Sequence, residues 1–239
     1  MARCYRERFS PTRYAAEISG EQVQASLRTS FAAWGLPQAI RVDNGTPWST
    51  QSLVPSALVL WLVGLGIEVV FNPPRQCTAN GVVERDHGVL MQWAEPQRAT
   101  DIHDCQQRLD WAMDVQRDLY PVQHRYSRLQ CHPALLHNPR TYSCQTEADI
   151  WSLDRVDAYV AQIIFYRRVD KTGRISLMST AYTVGRSYAR QDVTVQFDPL
   201  TREWVIRDER GIEIKRHPTQ ELTAERINSL HLAKRKRSN

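Results

Sequence analysis

The sequence lacks a long uninterrupted apolar run. Its most apolar stretch, residues 53–71, is broken by Pro55, Gly64 and Glu68, and its continuous part is shorter than the ~20 residues that a membrane-spanning helix needs. The charged N-terminal residues are not followed by the apolar segment of a signal peptide. We therefore expect neither secretion nor membrane insertion, and we interpret residues 53–71 as a buried helix followed by a buried strand.

Cysteine is scarce and has no regular spacing. The chain has five cysteines, an odd number, and no two of them form the C-x-x-C spacing of a zinc clip. The histidines and cysteines between His103 and Cys144 also match no short zinc-binding pattern. A reduced, cytoplasmic protein without a zinc site is the simplest interpretation.

The charge of the chain gives a weak indication of a partner. The 239 residues include 31 Lys and Arg against 26 Asp and Glu, a net charge of +5. An excess of positive charge favours a polyanionic partner, most often nucleic acid, although many proteins carry such a surplus without binding DNA. Apolar residues make up 42% of the chain, which is enough for folding around a hydrophobic core.

The first half of the sequence alternates strands with helices. The predicted elements are a strand at Thr12–Ile18, a helix from Ser19 to Trp34, a strand at Ala39–Val42, a helix at Ser56–Leu65, a strand at Ile67–Phe71 and helices at Val82–Trp93 and Asp101–Tyr120. Apolar side chains recur every three or four residues in the first helix, and Gly35 and Pro37 end it. This alternation is typical of α/β proteins. It places Asp43 at the end of a strand and Glu84 in the first turn of a helix.

The second half is predicted to be all β after an extended connection. Residues 122–154 are rich in His, Pro, Asn and Ser and show little periodicity. Alternating patterns between residues 160 and 215 then predict five or six short strands with tight turns, which are typical of a small antiparallel barrel. We therefore divide the chain into a core with its following helix (1–121), an extended linker (122–154), a barrel (155–220) and a short basic tail (221–239).

Asp43 and Glu84 each have two interpretations. Carboxylates from distant segments bind Mg²⁺ pairs in phosphodiester chemistry, where one ion activates the attacking oxygen and the other stabilises the leaving oxygen. Alternatively, Asp43 begins an Asp-Asn-Gly sequence that is common in tight turns, and the helix dipole favours a glutamate in a first helical turn. Position alone leaves both interpretations open.

The sequence around both acids resembles the integrase core of insertion-sequence transposases and retroviral integrases. The matching segments are G-L-P-Q-A-I-R-V-D-N-G at residues 35–45, G-I at 66–67 and P-P-R-Q-C-T-A-N-G-V-V-E-R at 73–85. This DDE-type family has a ribonuclease-H-like fold and cuts and joins DNA with Mg²⁺ or Mn²⁺. The resemblance implies that Asp43 and Glu84 are the second and third catalytic, metal-binding carboxylates. It also implies that Asn80 and Gly81 shape a flexible loop beside the DNA.

The second half is similar to the C-terminal barrel of Mu-like and insertion-sequence transposases, over residues 173–177, 182–185 and 193–197. Because that barrel contacts DNA in the family, the resemblance implies six phosphate contacts: Arg167, Arg168, Lys171, Arg174, Arg186 and Arg190. An ordinary solvated surface is the alternative interpretation. The implied partners are DNA, as mobile-element ends and target, and another copy of the chain or an intact transposase, with no membrane.

The family's first catalytic aspartate has no match among the 42 residues before Asp43. The expected fold is therefore α/β, an incomplete ribonuclease-H-like core whose first two strands are absent, followed by the small barrel, and one edge of the Asp43 strand would lack a neighbour. A misplaced start codon, a decayed transposase or completion by another polypeptide would each account for this. We expect a DNA integration protein that is inactive on its own, or alternatively a non-catalytic DNA-binding or regulatory fragment of a transposase.

Overall fold

The computed structural model describes residues 19–49, 54–73, 81–123 and 125–232, so the strand expected at Thr12–Ile18 lies outside the described residues. The described chain is mixed α/β. Its helices and strands follow in the order α1 (Gly20–Trp34), β1 (Ala39–Val42), α2 (Ala57–Gly64), β2 (Glu68–Phe71), α3 (Gly81–Ala94), α4 (Ile102–Asp118), β3 (Pro121–Gln123), β4 (Tyr126–Ser127), α5 (Arg128–Cys131), α6 (Glu147–Ile150), α7 (Leu153–Ala161), β5 (Ile164–Arg168), β6 (Arg174–Leu177), β7 (Thr180–Thr183), β8 (Asp192–Asp198), β9 (Glu203–Arg207), β10 (Glu213–Pro218) and α8 (Ala224–Asn228).

The predicted first helix is confirmed, and its ends have local causes. Ser19 caps α1 by accepting a hydrogen bond from the Gln22 amide at 3.2 Å, and its own amide donates to Oε1 of Gln22 at 3.0 Å, which satisfies two backbone donors reciprocally. The helix ends at Gly35, whose φ is +74°. A Cβ there would lie 2.7 Å from the Arg140 carbonyl oxygen, so this chain reversal requires glycine.

Within residues 53–71 the predicted buried helix is confirmed. A strand follows it as predicted, but this strand is only partly buried, with Glu68 exposed and Val69 to Phe71 half-buried. Helix α2 begins at Ser56, whose hydroxyl accepts from the Val59 amide at 3.3 Å, and nearly all of its side chains are buried. It connects β1 to β2, which pair in parallel from Ala39 opposite Glu68 to Val42 opposite Phe71. Because parallel strands end on the same side, the residues after β1 and β2 lie at one edge of this pair.

Helices α3 and α4, both predicted, form a hairpin with a small core of its own. The buried side chains of this core are Ala94, Ala99, Cys105, Leu109 and Ala112. None of the helices in the described ranges combines the length and apolarity needed to cross a membrane.

The strands of the second half do not form the predicted barrel. In the described residues they form an open antiparallel sheet of order β10-β9-β8-β5 and a separate β6-β7 hairpin. Side-chain contacts connect β7 to β10 and the residues after it: His217 Nε2 lies 2.7 Å from the Thr183 carbonyl oxygen, and the Tyr182 hydroxyl donates to the Glu221 carboxylate. Closure needs a backbone ladder between these strands, and side-chain hydrogen bonds stand in its place.

One large core joins the two halves of the described chain. It contains Trp61 of α2 together with Val160 of α7, Trp204 of β9 and Ile227 of α8, all fully buried. The segment expected as a linker contributes Trp151 to this core. The described part of this segment is not simply extended, because it contains the short elements β3, β4, α5 and α6. Several of its side chains also pack against α1 and α2.

Candidate functional site

Asp43 lies directly after β1, where the sequence predicts it, and its side chain is exposed. Its Oδ1 accepts a hydrogen bond from the Gly45 amide at 3.1 Å. This contact is the Asx turn that the Asp-Asn-Gly sequence favours. The turn alone therefore explains why an aspartate or asparagine occurs at position 43. The second carboxylate oxygen, Oδ2, takes no part in this hydrogen bond.

The turn after β1 is tied to the end of β2. Asn44 donates from Nδ2 to the Asn72 carbonyl oxygen at 2.8 Å, and the Asn72 amide donates to the Val42 carbonyl oxygen at 2.9 Å. These bonds fix the backbone on both sides of Asp43 at the carboxyl edge of the parallel pair. Ligand-binding residues of α/β sheets commonly lie at such an edge.

Glu84 lies in the first turn of α3 and is exposed. Gly81 is the first residue of that helix, and among the described residues no more distant part of the chain lies within 4 Å of the position a Cβ would take there. Asn80 lies outside the described residues. Glu84 therefore follows the end of β2 along the chain, as Asp43 follows the end of β1.

The two carboxylates do not form a complete metal site. Mg²⁺ and Mn²⁺ prefer carboxylate oxygens, so the chemistry of Asp43 and Glu84 suits these ions. Within the described ranges, however, no three His, Cys, Asp or Glu side chains come close enough together to hold a metal ion. The described residues supply ligands of the right kind at this site but too few of them.

Backbone hydrogen bonds bring the six predicted basic residues to one end of the C-terminal sheet. The Arg190 amide donates to the Val169 carbonyl oxygen at 2.9 Å, and the Gly185 amide donates to the Gly173 carbonyl oxygen at 3.0 Å. The first of these bonds joins the connection after β5 to the connection before β8, and the second joins the β5–β6 turn to the residues after β7. The basic end, as we call this region, contains Arg167, Arg168, Lys171, Arg174, Arg186 and Arg190.

Five of these six side chains are exposed, and Arg167 is the exception. Arg167 donates from Nε to the Ser176 carbonyl oxygen at 3.1 Å and from Nη1 to its neighbour's carbonyl oxygen at 2.8 Å, and burial lowers its pKa. Its guanidinium therefore links β5 to β6. Within the described chain, Arg168, Lys171, Arg186 and Arg190 form no salt bridge, so their charge remains directed to solvent.

The acidic side chains at the basic end are few. Asp170 accepts hydrogen bonds from the Thr172 hydroxyl and amide, both at 2.7 Å, and from the Arg174 amide at 3.0 Å, and these bonds lower its pKa. Asp192 lies opposite Arg168 in the ladder. Around β5, β6 and the start of β8, two carboxylates therefore stand against six basic side chains. The β9–β10 turn lies at the same end of the sheet and adds three acids and two arginines, namely Asp208, Glu209, Glu213, Arg207 and Arg210. Basic side chains still outnumber acidic ones at this end, by eight to five.

A buried carboxylate that the sequence does not single out holds α1, α2 and α6 together. Glu147 accepts from Arg28 Nε at 2.8 Å and Nη2 at 2.7 Å, from Trp61 Nε1 at 3.1 Å and from the Tyr142 hydroxyl. Burial raises the pKa of Glu147, but the hydrogen bonds from Arg28, Tyr142 and Trp61 outweigh it and place the pKa below its ordinary value. Sequence reasoning misses this group because Arg28 and Glu147 are 119 residues apart.

A second buried carboxylate lies at the end of the sheet near α8. Glu221 is fully buried and accepts from the Tyr182 hydroxyl at 2.6 and 2.8 Å, from the Thr219 hydroxyl at 3.0 Å and from the Gln220 amide at 2.9 Å. Burial, and then the bond to Glu221, raise the pKa of Tyr182. Glu221 begins the segment expected as a basic tail, so the start of that segment belongs to the core.

The sequence was also compared with models of known protein families, and none of them matches.

Proposed function

We propose that this chain is a DNA-integration protein of the DDE, ribonuclease-H-like type, which binds DNA and contributes Asp43 and Glu84 as two of the three carboxylates of that chemistry. The observation that carries the proposal is the arrangement around the parallel pair. Asp43 follows β1, the turn after it is bonded to the end of β2, and Glu84 lies in the first turn of the next helix, α3.

The basic end supports DNA as the partner. Five exposed basic side chains at that end form no salt bridge with another described residue. The closely spaced phosphates of a DNA duplex would be neutralised by such a cluster, with release of counterions. The two carboxylates would then contribute to chemistry on the phosphodiester of the DNA, and the basic end would hold the DNA backbone. A cytoplasmic location agrees with this proposal.

We expect DNA binding without strand cleavage from the 239-residue chain alone. Two carboxylates hold a pair of divalent ions poorly, because each ion needs several oxygen ligands of fixed geometry. Cleavage would require a third carboxylate from elsewhere, for example from an intact transposase in a mixed assembly. A non-catalytic DNA-binding or regulatory role is the second candidate, and the excess of exposed basic side chains over carboxylates at the basic end favours it.

A binding and cleavage experiment tests the proposal. Fluorescence anisotropy with a labelled duplex should give an affinity that falls steeply as salt rises, and the same duplex should be incubated with Mg²⁺ or Mn²⁺ to detect strand breaks. The variants are Asp43→Asn, which retains the hydrogen-bond acceptor for the Gly45 amide, and Glu84→Gln. Glu209→Gln, an exposed acid in the β9–β10 turn, is the matched control.

The outcomes separate the candidates. Cleavage that is lost in Asp43→Asn and in Glu84→Gln but kept in Glu209→Gln would assign catalysis to this site. Salt-sensitive binding with no cleavage by any variant would favour the non-catalytic role. A chain that binds no duplex DNA at low salt would contradict both.

A further inference from the structure

The two faces of the C-terminal sheet differ at strand β5. Phe165 points inward and packs edge-on against Trp204, with ring centroids 5.8 Å apart. Successive side chains of a strand alternate between faces, so Ile164, Tyr166 and Arg168 point outward. Tyr166 is 74% exposed and Ile164 is 50% exposed. On the outer face these two side chains form an apolar surface beside the basic side chain of Arg168.

The register of the sheet gives Tyr166 polar and basic neighbours. Tyr166 lies opposite Thr194 of β8, and Thr194 lies opposite Arg207 of β9. Neighbouring strands are about 4.8 Å apart, so this row spans about 10 Å across the sheet. We call Ile164, Tyr166, Arg168, Thr194 and Arg207 the Tyr166 platform.

The open sheet leaves the ring of Tyr166 accessible. Strand β5 is the last strand in the four-stranded order. Only β8 pairs with it through a backbone ladder, whereas the contact with β6 on its other side includes the Arg167 side chain. An exposed aromatic ring on an open sheet is the geometry on which unpaired bases stack, and one such contact contributes about 1–3 kcal/mol by alanine substitution.

The charge around the platform fits the backbone of a nucleic acid. Arg168 belongs to both the platform and the basic end, where Lys171, Arg186 and Arg190 are also exposed. A base on Tyr166 would therefore have its neighbouring phosphates next to these cations. A duplex does not offer this contact, because its bases are stacked on each other inside the helix.

We propose that the Tyr166 platform binds an unpaired nucleotide of single-stranded nucleic acid, with a base stacked on Tyr166 and the adjoining phosphates held by Arg168 and the basic end. The inference rests on the proposed function, since it concerns DNA as the partner. It adds a site for unpaired strands that duplex binding does not use. Charge complementarity favours a nucleic acid over an apolar protein strand.

The experiment compares single-stranded with duplex DNA on the full chain. Anisotropy is measured with labelled oligo(dT) and with a mixed-sequence duplex of equal length. Tyr166→Ala should weaken oligo(dT) binding by about 5- to 100-fold and change duplex binding by less than about 2-fold. Tyr166→Phe should retain oligo(dT) binding, because phenylalanine keeps the stacking face. Tyr126→Ala removes another exposed tyrosine, 59% exposed on β4, and should leave both affinities unchanged.

Four results would overturn the inference. Equal oligo(dT) affinities for the wild type and Tyr166→Ala, with duplex binding intact, would remove the stacking site while leaving the proposed function in place. Absence of binding to either DNA would remove both. An equal loss in Tyr126→Ala would show a non-specific effect. A change in oligomeric state in Tyr166→Ala without a change in DNA affinity, seen by sedimentation, would identify the platform as a protein contact.

Discussion

At the scale of single residues, the buried carboxylate of Glu147 connects three distant segments of the chain. It joins Arg28 of α1, Trp61 of α2 and Tyr142 around one carboxylate. A buried carboxylate is stable only when its oxygens are fully bonded and its charge is paired, and both conditions are met. The Arg28 guanidinium also lies 5.4 Å from the centre of the Trp61 ring. Removing the Glu147 carboxylate would therefore leave Arg28 with an aromatic partner but without an opposite charge.

Replacing this carboxylate should destabilise the protein in a pH-dependent way. We expect Glu147→Gln to lower the free energy of unfolding by about 2–3 kcal/mol at pH 7. Because the folded pKa of Glu147 lies below its ordinary value of 4.5, the carboxylate contributes its full stability above that pH and loses it as the pH falls further. The gap between wild type and variant should therefore narrow below about pH 4.5.

Denaturant unfolding followed by circular dichroism at pH 7 and at several lower pH values measures this gap. Glu209→Gln, which changes an exposed acid in a turn, is the control and should leave the unfolding free energy nearly unchanged at every pH. A gap between wild type and Glu147→Gln that stays constant as the pH falls would contradict the role assigned to the ionised carboxylate.

At the scale of elements, α2 packs so closely that its last residue has to be glycine. A Cβ on Gly64 would lie 2.0 Å from Nε1 of Trp151. The indole is held in place, since Nε1 donates to the Trp61 carbonyl oxygen at 3.1 Å and the ring is buried. Two further bonds end on the Gly64 carbonyl oxygen, from the Ser152 amide and from Arg155 Nη1, both at 2.9 Å.

Two glycine-to-alanine substitutions should therefore have opposite effects. Gly64→Ala should destabilise the protein by about 1–3 kcal/mol, because the added methyl forces Trp151 out of its site. Gly88→Ala lies in the exposed middle of α3, where no side chain or other element in the described ranges comes within 4 Å of the new Cβ. It should stabilise the protein by about 0.5–1 kcal/mol through helix propensity. Thermal unfolding of both variants measures the difference, and a stabilised Gly64→Ala would contradict the packing described here.

At the scale of the whole molecule, the described chain combines one shared core with an uneven distribution of charge. The core spans both halves, from α2 to the C-terminal sheet, so stability changes in one half should affect the other. The net charge of +5 is small, but the basic end concentrates it. A local cluster attracts phosphates more strongly than the same charge spread over the surface.

The salt dependence of duplex binding should depend on the basic end and not on net charge. Arg186→Gln with Arg190→Gln removes two exposed cations from that end and should reduce the slope of log affinity against log salt by up to about 2. Arg98→Gln with Arg108→Gln removes the same charge from the helical hairpin, where both arginines are paired with acids. Anisotropy titrations over a salt series measure both slopes, and equal changes would show that only net charge matters.

Much of the fold was predictable because its causes are local. The helix starting at Ser19 follows from its capping residue and apolar periodicity, and the strand before Asp43 and the apolar α2 follow from their patterns. The positions of Asp43 at a strand end and of Glu84 in a first helical turn were predictable for the same reason. Their catalytic roles stay predictions, since the described residues do not form a complete metal site.

The rest could not be predicted because it depends on contacts between distant segments. Alternation along β5 predicts on which face of the sheet Tyr166 lies. It cannot predict which strand edges pair, and for this reason the predicted barrel was wrong. The pairing of Glu147 with Arg28 across 119 residues leaves no periodic pattern.

The sequence by itself therefore determined helices α1 to α4, the strand-rich second half, the positions of the two acids and the basic character of the second half. It did so because capping, periodicity and charge are properties of neighbouring residues. Only the tertiary structure decided that the sheet stays open, that six basic residues share one end of it and that Glu147 and Glu221 are buried. These features depend on which distant segments meet, and packing selects among many pairings that the same local patterns allow.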